Sequence, residues 1–220
     1  MRYFKTPAII AKTFKSIWWK LPQEKPTIFL TFDDGPIPEL TPYVLETLQK
    51  FQAKATFFCV GDNIRKHPDI FQNLLQYGHQ VGNHTFNHLN AWKVHKNEYL
   101  QNIALCQQIM QEKNVQNTLF RPPYGKLSLG LRKQIEKNLK IVLWDVLTYD
   151  FDQTLDQEIC LKNALQNTEN GSIVVFHDNI KAIHNLTYTL PRFLEYFSEK
   201  GFCFEALPSA ETKSLQSSLQ

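Results

Sequence analysis

The strongest constraint on this chain is a repeated alternation of strand-like and helical patterns. Short β-branched and aromatic runs, all but the last, are each followed by a segment of helical periodicity. The runs fall at 27–32, 55–60, 79–83, 118–120, 140–146, 173–177 and 202–207. Helical patterns separate them at 42–51, 68–77, 96–113, 127–138, 155–167 and 185–199. Strands that alternate with helices pair in parallel, because a parallel neighbour is reached only through a crossover. Seven such strands suit a distorted (β/α)7 barrel of mostly parallel strands, with an open doubly wound sheet as the alternative. A chain of 220 residues is long enough for one domain with a full core. No repeat or linker divides it. The expected layout is an N-terminal amphipathic segment at 1–25 packed on a domain at 26–208, followed by a polar tail at 209–220 that frays.

Composition excludes several function classes. The net charge is +3 and no dense Lys/Arg block accompanies it, so nucleic acid is not an expected partner. Neither GxGxxG nor GxxxxGK is present, which removes the usual nucleotide loops. The four cysteines form no CxxC pair, so a disulfide framework and a cysteine metal site are both unexpected. Cys59 and Cys203, each inside an apolar run, read as buried small hydrophobes. Lys5, Lys12 and Lys15 interrupt every apolar run near the start, unlike a secretory leader. Ile9, Ile10, Phe14, Ile17 and Trp18 instead fall at helical spacing, predicting a helix packed on the domain. Contact of residues 1–20 with a membrane surface is the second reading of that segment.

Polar residues gather where the strands end. Asp33 and Asp34 close the first run, and His84 and His88 follow the third. Arg121-Pro122-Pro123-Tyr124-Gly125 closes the fourth, Asp145 and Asp150 lie in and after the fifth, and His177-Asp178 closes the sixth. In a barrel those ends share one face. His84 and His88 are four apart, so one helical turn would bring both imidazoles to the same side. Two imidazoles and a carboxylate make a catalytic zinc shell with an open position, and Asp34 is the best carboxylate. Alone, the histidine pair suits an ordinary surface and Asp33-Asp34-Gly35-Pro36 an ordinary turn; their joint placement points to a site. Adjacent aspartates at a strand end face opposite ways, so Asp34 can hold metal while Asp33 faces the bound water. A metal lowers that water's pKa from about 15.7 toward about 7, within reach of a carboxylate base. Trp144 reads as core, and Asp178 as either a turn former or a support.

Four motifs carry a resemblance. Thr31-Phe32-Asp33-Asp34-Gly35-Pro36, His84-Thr85-Phe86-Asn87-His88, Arg121-Pro122-Pro123-Tyr124 and Ile173-Val174-Val175-Phe176-His177 resemble, in order, those of the polysaccharide deacetylases. This is the NodB-homology group, or carbohydrate esterase family four. The match spans roughly 26–207. It implies a (β/α)7 barrel and hydrolysis of N-acetyl groups on chitin-like or peptidoglycan-like polymers. It also implies a divalent ion, Zn2+ foremost with Co2+, Ni2+ and Mn2+ as alternatives. Asp33 matches the base, and Asp34, His84 and His88 the metal ligands. Arg121 matches the arginine paired with the base, and the backbone N–H of Tyr124 an oxyanion donor. His177 matches the general acid. Ile173 and Val175 share its strand face and are expected to line an acetyl pocket.

One motif departs from the family pattern Asp-x-x-Asp-Trp. Leu147 stands where an aspartate normally orients the acid histidine, and Phe151 replaces the tryptophan. Asp145, of the same strand parity, or Asp150, just beyond, is expected to substitute. The same metal chemistry would serve an amidohydrolase acting on a small non-sugar amide. Leu147 alone would suit a non-catalytic carbohydrate-binding protein on this fold.

Overall fold

The computed structural model describes residues 2–210. Its strands are β1 Thr27–Asp33, β2 Ala55–Cys59, β3 Gln80–Asn83, β4 Leu119–Phe120, β5 Lys140–Ile141, β6 Val146–Leu147, β7 Ile173–His177 and β8 Cys203–Phe204. Its helices are α1 Ala8–Thr13, α2 Thr41–Lys50, α3 Gly61–Lys66, α4 Pro68–Gln76, α5 Lys96–Glu112, α6 Leu129–Ile135, α7 Gln157–Asn167 and α8 Ile183–Glu199. The strands run β5-β4-β3-β2-β1-β7-β6, with β8 beside the start of β1, and every pairing is parallel. This is the distorted parallel barrel expected from the alternation.

Period-two alternation sorts the central strands. Ile28, Leu30 and Phe32 of β1 and Val174 and Phe176 of β7 enter the large core beneath the helices. Phe29 and Ile173 face inward, packing with Phe58, Leu119 and Val142. Thr31 and Asp33 continue the inward row toward the strand ends. The interior therefore grades from apolar at one end to polar at the other, and the polar end builds the site.

Some boundaries differ from expectation. The run at 140–146 is two short strands at opposite edges of the sheet, because it turns the corner that closes the barrel. Val142 N–H donates to Phe120, whereas Asp145 N–H donates to Ile173 on the other edge. The run at 202–207 pairs only over β8, where Cys203 is exposed rather than buried. Helix α3 follows β2 directly and carried no periodic signal over its six residues. Ser209 and Ala210 do not fray: they accept from Gln80 and donate to Thr118. The rest of the expected tail, 211–220, lies outside the described residues.

The N-terminal segment is a strap rather than one helix. Only α1 is helical; none of its residues is buried, and Ile9 and Ile10 are exposed. The segment is held by its side chains, with Ile17 buried and Phe14, Trp18 and Trp19 packed on the core, and by its backbone. Leu147 N–H donates to Phe4, Thr6 N–H to Asp145, Trp18 N–H to Ile141, Leu143 N–H to Trp18 and Leu21 N–H to Gly171. The edges of β5 and β6 would otherwise leave polar groups unpaired along the seam. Among the described residues no helix is long and apolar enough to cross a membrane.

The strap sits so close to Gly171 (φ 80°) that a Cβ there would lie 2.2 Å from the Leu21 carbonyl oxygen. Gly201 has a similar φ of 76° but open space around it. Gly201→Ala should therefore lose only the left-handed backbone preference, about 1 kcal/mol. Gly171→Ala should lose at least about 2 kcal/mol more as the strap lifts, read by denaturant unfolding. Equal losses would refute the close packing of the strap.

Candidate active site

The strand ends converge on a cavity of about 680 Å³ lined by Asp33, Asp34, His84, His88, Tyr124 and His177 among others. Asp34 follows β1 in the left-handed region (φ 84°). That conformation swings its side chain away from that of Asp33. Its turn is clamped from several sides. Asn63 of α3 donates to the Asp34 carbonyl at 2.7 Å, and Asn179 donates to Asp34 Oδ2. Asp178 accepts from Gly35 N–H at 3.0 Å and from Thr41 Oγ1 at 2.6 Å. Burial pushes the Asp178 carboxyl up to about 8, with those two donors opposing the rise.

The imidazoles reach Asp34 by a different route from the helical turn expected. Residues 84–88 form no helix; Thr85 (φ 64°) and His88 (φ 55°) are both left-handed. Thr85 N–H donates to the Asn83 side chain and Phe86 N–H to that of Asn102, which fixes the loop. The two rings stand 5.1 Å apart between centroids. His88 Nε2 lies 3.0 Å and His84 Nε2 3.4 Å from Asp34 Oδ1.

Two observations test whether this trio suits a metal. Asp34 Oδ1 is buried without a hydrogen-bond partner among the described residues, an arrangement that is otherwise costly. His84 Nδ1 lies 2.8 Å from the Arg121 carbonyl, which can only accept, so Nδ1 carries the proton. The neutral ring then turns the Nε2 lone pair toward Asp34, as a metal ligand requires. Donor atoms of all three residues lie within 4.8 Å of one another. The donor set fits a divalent ion.

Asp33 stands beside this trio. Its Oδ1 accepts from Arg121 Nη1 at 2.7 Å, and the same nitrogen reaches Thr31 Oγ1 at 2.8 Å. Arg121 is fully buried, stacked over Phe58 at 4.1 Å from the ring centre. Its Nη2 donates to the Leu143 carbonyl. His177 also lines the cavity. Asp150 accepts from His177 Nδ1 at 2.8 Å and from its backbone N–H at 2.7 Å. Burial lowers the His177 pKa, but the Asp150 carboxylate more than offsets this, pushing it up to about 9.

Three sequence expectations are corrected. Asp145 does not meet His177: it accepts from Ser172 Oγ at 2.6 Å and lies 3.8 Å from Lys5. It precedes β6 level with Ile173, four residues and about 13 Å short of His177, so strand parity never applied. Ile173 and Val175 do not line the cavity; they lie buried deeper in the barrel. Leu147 and Trp144 line it instead, although Trp144 read as core. Trp144 packs beneath the Tyr124 loop, where a Cβ on Gly125 would come within 2.7 Å of it. Tyr124 (φ 61°) is 57% exposed, at the mouth. Asn63 and Asn179 went unnoticed because an isolated asparagine after a strand looks like any turn residue.

Fold and cluster together define a hydrolase barrel with a divalent-ion position at its strand ends. A family model described as polysaccharide deacetylase matches residues 20–141. A peptidoglycan-N-acetylglucosamine deacetylase of Bacillus cereus is 35% identical over 191 residues, covering 86% of this chain and 69% of that protein. A chitooligosaccharide deacetylase of Azorhizobium caulinodans is 33% identical over 162 residues, covering 72% of this chain and 77% of that protein. The crystal structure of the Bc1960 peptidoglycan N-acetylglucosamine deacetylase superposes with a TM-score of 0.84 at 32% identity. That likeness covers 90% of this chain and 94% of that one. The chain belongs to the polysaccharide deacetylase family.

A Cβ on Gly35 would fall 1.9 Å from Asp178 Oδ2. Gly35→Ala should therefore shift the Asp34 turn and weaken zinc or cobalt affinity by roughly 10–100-fold, measured by calorimetric titration. Adding Asp178→Ala should recover part of that affinity. No recovery would show that the clash is not the cause.

Proposed function

We propose that the protein removes N-acetyl groups from an amino-sugar polymer of the peptidoglycan or chitin kind, at a zinc ion held by Asp34, His84 and His88. The observation that carries this reading is the orphaned Asp34 Oδ1, facing two imidazoles beside the paired Asp33 and Arg121. The relatives' substrates support the choice of polymer. Two nitrogens and one carboxylate favour zinc among the divalent ions.

When bound, the ion polarises the acetyl carbonyl and lowers the pKa of its water. Asp33 takes the proton from the attacking water, with Arg121 holding one carboxylate oxygen so that the other faces the cavity. His177 carries a proton on the opposite side of the cleft and delivers it to the departing amine nitrogen. The amide C–N bond breaks, and acetate and the free amino sugar leave. Asp150 fixes the ring of His177 through Nδ1, leaving Nε2 as the donor. The Tyr124 backbone N–H faces the oxygen that gains charge. Leu147 and Trp144 offer the acetyl methyl an apolar wall, the role first expected of Ile173 and Val175.

Acetate release from N-acetylglucosamine oligomers and from peptidoglycan should vanish on chelation and return with zinc. Asp33→Asn should lower kcat roughly 10²–10⁴-fold while metal binding persists. An Asp33→Asn protein of full activity would sink this assignment.

The pH dependence follows from His177. With its pKa raised to about 9, the acid form persists below that pH and activity falls as pH rises through it. Asp150→Asn removes the carboxylate that raises the pKa, so the basic limb should move down by more than about one pH unit. An unmoved limb would leave Asp150 without this role.

A further inference from the structure

Trp92 is 67% exposed, an unusual position for an indole. It stands in the loop that carries His88, and that loop is fastened. Leu89 N–H donates to Thr85 Oγ1 at 3.1 Å, and Trp92 N–H to Asn90 Oδ1 at 3.0 Å. The ammonium of Lys126 sits 4.9 Å from the centre of the Trp92 ring and 6.0 Å from that of Tyr124. Tyr124 in turn packs at 4.8 Å against the His88 ring and lines the cavity. Aromatic face, cation and aromatic face thus form a continuous rim running outward from the metal trio. Among the described residues Lys126 makes no ion pair.

An exposed indole offers a flat apolar face to the C–H face of a sugar ring while its N–H stays wet. A cation beside it, lacking a carboxylate of its own, completes a site for a ring that bears one. We propose that Trp92 and Lys126 form a subsite for the sugar next to the one being deacetylated, and that this neighbour carries a carboxylate. The favoured substrate is then a strand in which carboxylate-bearing rings alternate with N-acetylated ones, rather than a neutral homopolymer. This rests on the deacetylase reading and narrows its substrate class.

The test compares binding of two tetrasaccharides by calorimetry. One is a neutral N-acetylglucosamine oligomer; the other has the same length, with a lactyl-ether carboxylate on alternate rings. The zinc-loaded protein should prefer the charged fragment. Lys126→Gln should lower that preference about 3-fold, and Lys126→Glu about 10-fold. Lys126→Arg should retain it. Trp92→Ala should weaken both fragments about 5-fold. Trp92 is exposed and Lys126, half-buried, makes no ion pair among the described residues, so the variants should fold. Equal effects of the Lys126 variants on the two fragments, or undiminished binding in Trp92→Ala, would overturn the subsite. Acetate release in parallel reports separately on the hydrolase: a charged preference without acetate would overturn that reading and leave the subsite standing.

Discussion

Arg121 puts a permanent positive charge inside the barrel, with no surface exposed to solvent. Burying a guanidinium is costly unless its donors are met and its charge is paired. Here Thr31, Asp33, Val142 and Leu143 meet the donors, and Phe58 lies under the plane. The backbone carbonyl of the same residue accepts a hydrogen bond from His84 Nδ1. One residue thereby orients Asp33, sets the tautomer of a metal-binding imidazole and reaches across to the corner where the barrel closes. Truncating its side chain would strand Asp33 as an unpaired buried charge, while the backbone carbonyl would still hold the tautomer of His84.

Around that anchor, the site accumulates backbone conformations that most residues avoid. Asp34, Thr85, His88 and Tyr124 all have positive φ without being glycine. Aspartate and histidine tolerate this region better than most, but each case still costs free energy. Hydrogen bonds donated by Asn63 and Asn179 and accepted by Asn83 and Asn102 are what hold the loops there. Strain concentrated at the strand ends, over a regular apolar barrel, is the usual division between scaffold and site.

Much of this was legible in the sequence, and the remainder has physical reasons for being hidden. Strands β1, β2 and β7 are long and apolar on both faces, so their positions and the parallel topology could be read directly. The polar residues that end them gave the site its membership. The geometry was less accessible. A four-residue histidine spacing reads as a helical turn, yet two left-handed residues achieve the same convergence. The corner at 142–145 looked like continuous strand because a strand and a barrel closure can share the same apolar composition. Parity arguments failed for Asp145 because β6 is only two residues long. The pocket walls depended on how deep each side chain lies in the barrel, which alternation cannot report. Ile173 shares a strand face with His177 yet lies four residues further down.

Leu143 has a place in two of these arrangements at once. Its N–H is bound by Trp18 of the strap, and its carbonyl by the guanidinium of Arg121. The opening stretch of the chain, far from any motif that identifies the family, is therefore linked through one residue to the group that positions Asp33. The motif-bearing region and the mechanical unit have different limits. Relatives that enter the barrel by another path must brace this corner in some other way. Exchanging their leading segments would act on the chemistry through the alignment of the two peptide planes that meet at Leu143.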